Sequence, residues 1–346
     1  MVPVSPSGAA DFTGRSQLPS REPRLRDDDP IVIGFVNNMP DTALRTTERQ
    51  FRELLSAASP HVPIRLRFFS LPELPRAEAG RAHISQNYED VGELWESNLD
   101  GLIVTGTEPR APDLTDEPYW STLTKLVDWA EDHVPSTVWS CLAAHAVALY
   151  VDGICRRALP EKLSGVFDCI KAGDHAIVAG APSRWRVPHS RYNELPEEAL
   201  IAKGYQILSR SHDAGADICI KQKKSLFIFV QGHPEYDPGA LLREYRRDVG
   251  RFLAGERDSY PEMPRGYFDE DSAAAFVDFR ERALRDRNTD LLSGFPAEEA
   301  EKKLAHPWRV AATCIYANWL SYLADRRSRY DRGKRPNSSA RMHRAI

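Results

Sequence analysis

The strongest constraint on this chain is a repeated order of short apolar runs, each followed by a helical pattern. Ile31-Val32-Ile33-Gly34-Phe35-Val36 carries no polar side chain, as expected of a parallel strand buried on both faces. After the loop Asn37-Asn38-Met39-Pro40-Asp41, Leu44, Phe51, Leu54 and Leu55 recur at helical spacing. Ile64–Phe69 reads as a second strand, followed by a polar loop and a short helix around Val91–Trp95. Residues 102–106 form a third strand ending in a glycine, and a helix over 119–132 leads to a β-favouring run that stops at Cys141. Parallel strands need long crossovers, and helices of this length supply them. The first half therefore predicts an α/β fold, a doubly wound, mostly parallel sheet flanked by helices.

Past residue 155 the pattern changes. Strand-like pieces at 204–209, 216–221 and 226–230 are joined by short polar connections and predict an antiparallel or mixed flank of the same sheet. A helix over 240–252 follows, then a charged, loop-rich stretch over 255–305 with one helix at 272–285, and a final amphipathic helix over 308–323. Residues 1–29 are rich in Pro, Ser, Arg and Asp and read as a disordered arm. Residues 30–325 read as one domain, and the basic stretch 326–346 as a flexible tail.

The formal net charge of -4 gives no general pull towards nucleic acid or an anionic membrane. No apolar run approaches the roughly 20 residues that span a bilayer, and the N-terminus lacks the order of a signal peptide, so cytoplasmic residence is the expectation. Five cysteines scattered singly argue against a disulfide framework and a structural zinc site. The ten histidines include no paired ligand spacing, so neither a catalytic metal nor a bound cofactor is expected.

In open α/β sheets ligands bind beyond the carboxyl ends of the strands, where Gly106 and Cys141 both fall. Cys141 stands between a strand and the Ala/Val/Leu helix that starts at Ala143. Such a turn lifts the thiol clear of the sheet, aims the following amide N–H groups at whatever the sulfur attacks, and lets the helix N-terminus favour a thiolate. A buried structural cysteine is nonetheless the commoner fate of the residue type. His233 and Glu235 lie two positions apart beyond the last strand, so in extended chain both project from one face. The carboxylate can orient the imidazole, and the imidazole can take a proton from the thiol. Cys141, His233 and Glu235 thus form a coherent triad, against the plainer reading of a surface Gly-His-Pro turn. His145 reads as a helix-face histidine meeting a carbonyl or water, and Trp139 as core.

Several separated stretches carry a resemblance. Asp100-Gly101-Leu102-Ile103-Val104-Thr105-Gly106, Glu161-Lys162-Leu163-Ser164-Gly165-Val166, Pro188-His189-Ser190-Arg191-Tyr192 and Gly232-His233-Pro234-Glu235-Tyr236-Asp237 resemble the homoserine O-acyltransferase (homoserine O-succinyltransferase) family of methionine biosynthesis. So do residues 37–40 with 48–51, 88–94 with Tyr119-Trp120, and Ala317-Asn318-Trp319-Leu320, all in order from about residue 31 to 325. The resemblance implies a fold similar to class I glutamine amidotransferases and a ping-pong acyl transfer with acetyl-CoA or succinyl-CoA as co-substrate. Cys141 would be acylated, and His233, oriented by Glu235, would deprotonate the acceptor hydroxyl. The family motifs imply substrate binding at Lys162, Ser190 and Arg247, an oxyanion donor in the backbone N–H of Leu142, and a homodimer. Read without it, Lys162 and Arg247 are ordinary solvated charges.

The chain also departs from the family pattern, as a divergent branch. The position that accompanies acyl choice, glycine for succinyl and glutamate for acetyl, aligns with Arg110, which could pair with the distal carboxylate of succinate or point outward. The stretch after the nucleophile is Cys141-Leu142-Ala143-Ala144-His145, where the family usually has Cys-Trp-Ala/Gly-x-Gln, and Asp41-Thr42-Ala43-Leu44-Arg45 replaces a usual lysine pair. The leading acceptor is homoserine, with serine or another hydroxy amino acid as the alternative. A glutaminase-like Cys-His-Glu hydrolase is the second reading, although glutaminases usually flank the cysteine with glycines where this chain has Trp139 and Ala143. A catalytically silent relative is the third, against which the intact triad argues.

Overall fold

The computed structural model describes residues 29–334. Residues 1–28 of the expected arm and 335–346 of the expected tail lie outside them. In chain order the first half runs β1 (Ile31–Val36), α1 (Asp41–Ala58), β2 (Ile64–Phe69), α2 (Glu78–Asn87), α3 (Val91–Trp95), β3 (Gly101–Val104), α4 (Trp120–His133), β4 (Ser136–Ser140) and α5 (Leu142–Asp152). The second half runs β5 (Arg157–Lys171), β6 (Arg184–Glu194), α6 (Glu197–Ala202), β7 (Gln206–Ser211), β8 (Gly215–Gln222), β9 (Leu226–Val230), α7 (Ala240–Leu253), α8 (Glu270–Arg285), α9 (Ala297–Glu301) and α10 (Arg309–Lys334).

One nine-stranded sheet results, in the order β2-β1-β3-β4-β9-β8-β7-β5-β6. The first five strands in that order are parallel, and β8, β7, β5 and β6 continue it antiparallel. Both halves of the expectation, a parallel wound sheet and an antiparallel flank, are met. Alternation along the strands divides the apolar side chains between two faces. Leu102 and Val104 join Trp139 and the apolar faces of α4 and α5 in one core. Ile103 and Val138 join Phe35, Phe51 of α1 and Trp319 of α10 in the other.

Two of the longest strands, β5 and β6, were not legible as strands. β5 carries Pro160 and Gly165 and a register shift between Ala158 and Leu163, while β6 places Pro188, His189 and Arg191 where an apolar alternation would be sought. β6 is the sheet edge, where a proline costs no ladder bond. α2 falls in a stretch read as a polar loop, and α6 in one to which the sequence reading assigned no element. The stretch 255–305, expected to be loop-rich, packs against α7: Phe276, Phe279 and Phe295 share a core with Tyr245, Val249 and Phe252. Its leading segment also pairs with β5, through Val166 N–H to Arg265 O at 2.8 Å and Arg265 N–H to Ser164 O at 2.9 Å.

α10 passes its expected end at residue 323 and runs to Lys334. The apolar signal stops at Leu323, which the helix still buries in the core, while the helical backbone continues to Lys334. Arg327, in the expected tail, lies 3.5 Å from Asp29 and 3.6 Å from Asp100. Among the described residues no helix is long and apolar enough to cross a membrane.

Candidate active site

Between β4 and α5, Cys141 has φ 52° and ψ −115°, the single positive φ outside glycine among the described residues. Backbone in such a region costs about 1–3 kcal/mol and persists only where its surroundings impose it. Here Cys141 N–H donates to Val230 O of β9 at 2.7 Å, and Cys141 O accepts from His145 N–H at 3.3 Å. The thiol is thereby held at the strand-to-helix elbow, partly accessible, while Cys169 and Cys219 are buried.

β9 delivers the histidine. Three residues past its end, His233 N–H donates to Pro188 O of β6 at 2.8 Å, and His233 Nδ1 lies 2.8 Å from Glu235 Oε1. The two side chains meet across a turn, closed by Tyr236 N–H donating to His233 O at 3.1 Å, and not along the extended segment their spacing predicts. With Nδ1 committed to Glu235, the other ring nitrogen is left to Cys141, with which His233 shares a side-chain hydrogen bond. Burial opposes charge on His233. The fields of Glu235 and Cys141, with hydrogen bonds to both, outweigh it and hold the imidazolium well above the ordinary histidine range.

Tyr236 stacks on His233, ring centroids 4.2 Å apart and planes 15° from parallel. Its hydroxyl donates to Glu244 Oε1 at 2.5 Å. Glu244 belongs to α7, and its other oxygen accepts from Ser190 Oγ of β6 and from Lys162 Nζ of β5 at 3.3 Å. Lys162 Nζ also reaches Asp248 Oδ2 at 2.7 Å, one turn along α7, and Arg247 Nη2 reaches Asp248 Oδ1 at 2.9 Å. Burial acts against charge on both acids, yet Lys162, with Ser190 and Tyr236 for Glu244 and Arg247 for Asp248, keeps both carboxyls below their ordinary values. Lys162 is likewise held above the usual lysine value by the two acids in spite of its burial.

The structure therefore brings Lys162, Ser190 and Arg247 together and links them through Glu244 and Tyr236 to His233. Glu244 and Asp248 were missed by sequence reasoning. Their four-residue spacing, bracketing Arg247 on one helix face, was the available signal. The segment past α7 closes this side: Arg257, Tyr260 and Glu262 line, with Lys162, Tyr192 and Asp248, a cavity of about 290 Å³.

Leu142 opens α5, so its N–H has no partner within the helix. Gly106, just beyond β3, lies so close that a Cβ there would stand 2.8 Å from Leu142 N. Arg110 stands apart. Its side chain is exposed and makes no hydrogen bond or ion pair among the described residues, while its N–H donates to Glu117 Oε1 at 2.5 Å. The same loop is tied to α7 by Glu108 and Arg251 at 3.2 Å. His145 is buried with Nε2 3.1 Å from Gln231 Oε1, and burial pushes it down to about 3, a neutral ring. Trp139 is core, as expected.

Fold and site together define an α/β protein with a wound, mixed sheet and with cysteine, histidine and glutamate gathered at strand ends. Among solved structures it is similar to a glutamine amidotransferase from Thermotoga maritima (14% identity, TM-score 0.46, 85% of this chain and 99% of that one). A second, from Methylobacillus flagellatus, aligns at 16% identity and TM-score 0.47 over 85% and 94% of the two chains. The family profile "Homoserine O-succinyltransferase" matches residues 17–330. Proteins of that name from Rhodopseudomonas palustris and Bradyrhizobium japonicum are 48% and 46% identical, over 85% and 87% of this chain and 88% and 93% of theirs. Another from Thiothrix nivea is 38% identical over 89% of this chain and 87% of its own. The chain belongs to the homoserine O-succinyltransferase family.

Proposed function

We propose that the protein transfers an acyl group from CoA to the side-chain hydroxyl of L-homoserine, a step of methionine biosynthesis, through an acyl-cysteine intermediate. The single observation that carries this reading is that Cys141, on its strained elbow, meets the His233–Glu235 pair beside a charged pocket of Lys162, Ser190, Glu244 and Arg247. The names of the relatives favour succinyl as the donor group.

The proton ledger closes in two half-reactions. In the first, the Cys141 thiolate attacks the thioester carbonyl of acyl-CoA. The Cys141–acyl bond forms, the acyl–CoA bond breaks, and the departing CoA thiolate takes the proton of imidazolium His233. Acylation discharges the sulfur, one of the two partners that hold the imidazolium proton, so His233 is left neutral and able to act as a base. In the second half, His233 removes the hydroxyl proton of homoserine as that oxygen attacks the acyl carbon, and the thiolate–imidazolium pair is restored. Leu142 N–H faces the oxyanion in both halves. A zwitterionic amino acid suits the neighbouring pocket, its carboxylate towards Arg247 and Lys162 and its ammonium towards Glu244. Arg110 is proposed to meet the distal carboxylate of a succinyl group from its exposed position on the loop after β3.

Intact-protein mass after mixing with succinyl-CoA or acetyl-CoA, without acceptor, tests the reading. One acyl group on Cys141, discharged by homoserine and not by serine, is expected. Failure to acylate with either donor, or glutamine hydrolysis in its place, refutes it.

A further inference from the structure

Tyr236 touches both halves of the site, and the mechanism above gives it no role. Its ring lies nearly flat on His233, centroids 4.2 Å apart and planes 15° from parallel. Its hydroxyl donates to Glu244 Oε1 at 2.5 Å. One side chain therefore meets the base with its face and the charged pocket with its tip. The residue is itself held at the backbone: its O accepts from Trp308 Nε1 at 2.8 Å, and its N–H donates to His233 O at 3.1 Å. The ring is buried with Val166, Ala240, Leu241 and Trp308.

The base has a use for that face. His233 Nδ1 lies 2.8 Å from Glu235 Oε1, which fixes one atom of the imidazole. A single hydrogen bond leaves the plane of a ring free to tilt about its axis, and tilting turns Nε2 away from the sulfur. A flat aromatic partner stacked on the ring opposes that tilt, and its π face suits an imidazolium as well as an imidazole. The pocket has a use for the tip. Glu244 Oε2 accepts from Ser190 Oγ and from Lys162 Nζ at 3.3 Å, and Tyr236 supplies the donor to Oε1. Burial, with Glu244 and Glu235 nearby, pushes the phenol well above its ordinary value, so the hydroxyl keeps the proton it donates. Hydrogen bonds to a charged acceptor are the strong ones, and this one fixes the second oxygen of the carboxylate.

We propose that Tyr236 is a positioning residue that holds the plane of His233 with its ring and the carboxylate of Glu244 with its hydroxyl. It thereby sets the base and the anchor of the acceptor's ammonium at one separation. This deepens the reading of His233 as base and of Glu244 as part of the acceptor pocket, and rests on it.

Substitution separates the two contacts. The full chain is assayed for single-turnover acylation of Cys141 by succinyl-CoA and acetyl-CoA, for steady-state kcat and KM with homoserine, and for thermal melting. In Tyr236→Phe the ring stays and the hydroxyl goes. The KM for homoserine is expected to rise about tenfold, the worth of one hydrogen bond to a charged group, while acylation slows by less than about threefold. In Tyr236→Leu the flat face goes as well, and acylation and kcat are both expected to fall by about tenfold or more. A KM within about twofold of wild type in Tyr236→Phe overturns the proposal, as does acylation within about threefold of wild type in a folded Tyr236→Leu protein. Equal slowing of acylation in the two variants overturns it too. Should the leucine variant not fold, the phenylalanine variant decides: a KM and an acylation rate that worsen by the same factor overturn the proposal. The wild type is the control. Wild-type enzyme that is acylated and discharged by homoserine, with variants that show no such split, refutes the role of Tyr236 alone, whereas a wild type that neither donor acylates refutes the reading on which it rests.

Discussion

A methyl group at Gly106 probes the site at its tightest point. A Cβ there would stand 2.7 Å from Leu142 Cβ, 2.8 Å from Leu142 N and 3.1 Å from Leu142 Cα. None of these atoms belongs to a flexible side-chain end, so relief must come from backbone. To reach an ordinary 3.4 Å, Leu142 N must withdraw by about 0.6 Å. Oxyanion donors work at about 2.7–3.1 Å from the developing charge, so a displacement of that size takes Leu142 N–H out of range. Loss of one such donor costs about 10²–10³ in kcat, or roughly 2.7–4 kcal/mol. Overpacking adds a stability cost of about 1–3 kcal/mol, which a folded domain of this size survives with a lowered melting temperature. The assay is CoA release by chromatography at saturating acyl-CoA and homoserine, with single-turnover acylation of Cys141 and thermal melting on the same Gly106→Ala protein. A kcat within about threefold of wild type, in a protein that carries the added methyl, would refute the placement of the oxyanion donor.

Cys141→Ala is expected to abolish turnover and leave the fold intact. Because the elbow backbone favours glycine, Cys141→Gly should melt no lower than Cys141→Ala, despite glycine's usual cost of roughly 0.5–1 kcal/mol; a clearly lower melting point removes the strain assignment. Glu235→Gln keeps the base but impairs its orientation, so activity should fall by about 10²–10⁴ without vanishing. Arg110→Gly and Arg110→Glu should change the ratio of succinyl-CoA to acetyl-CoA use, and an unchanged ratio would show that the side chain does not meet the acyl group. Glu244 and Asp248 have lowered folded-state pKa values, so their stability contribution is complete above the ordinary range near 4 and is lost as pH falls through the folded values. Melting temperature should therefore drop on the acid side in the wild type and change less in Lys162→Met, as pH-resolved calorimetry would show.

Legibility tracked how far each signal depended on its own segment. β1, β3 and β9 carry no polar side chain because both faces are buried, and such runs announce themselves. The elbow was visible because the strand pattern ends and the helical one begins within a residue of Cys141. His233 and Glu235 were found from their spacing, although the geometry that joins them is a turn. β5 and β6 were hidden because one bears an irregular register, and the other, at the sheet edge, presents polar residues inward. Lys162 and Ser190 were singled out only by resemblance, since nothing in their local sequence separates a ligand-facing charge from a solvated one.

By itself, the sequence determined the wound parallel sheet, the position of the thiol at its strand end and the family to which the chain belongs. These depend on periodicities within single elements and on short motifs. Tertiary structure alone decided that Glu244 and Asp248 hold Lys162, that Gly106 crowds Leu142 N, and that Arg191 is buried with its guanidinium bonded to backbone carbonyls. Each of these joins segments distant along the chain. The free energy of a buried charge or a close backbone approach depends on what the fold places beside it, which no local pattern encodes.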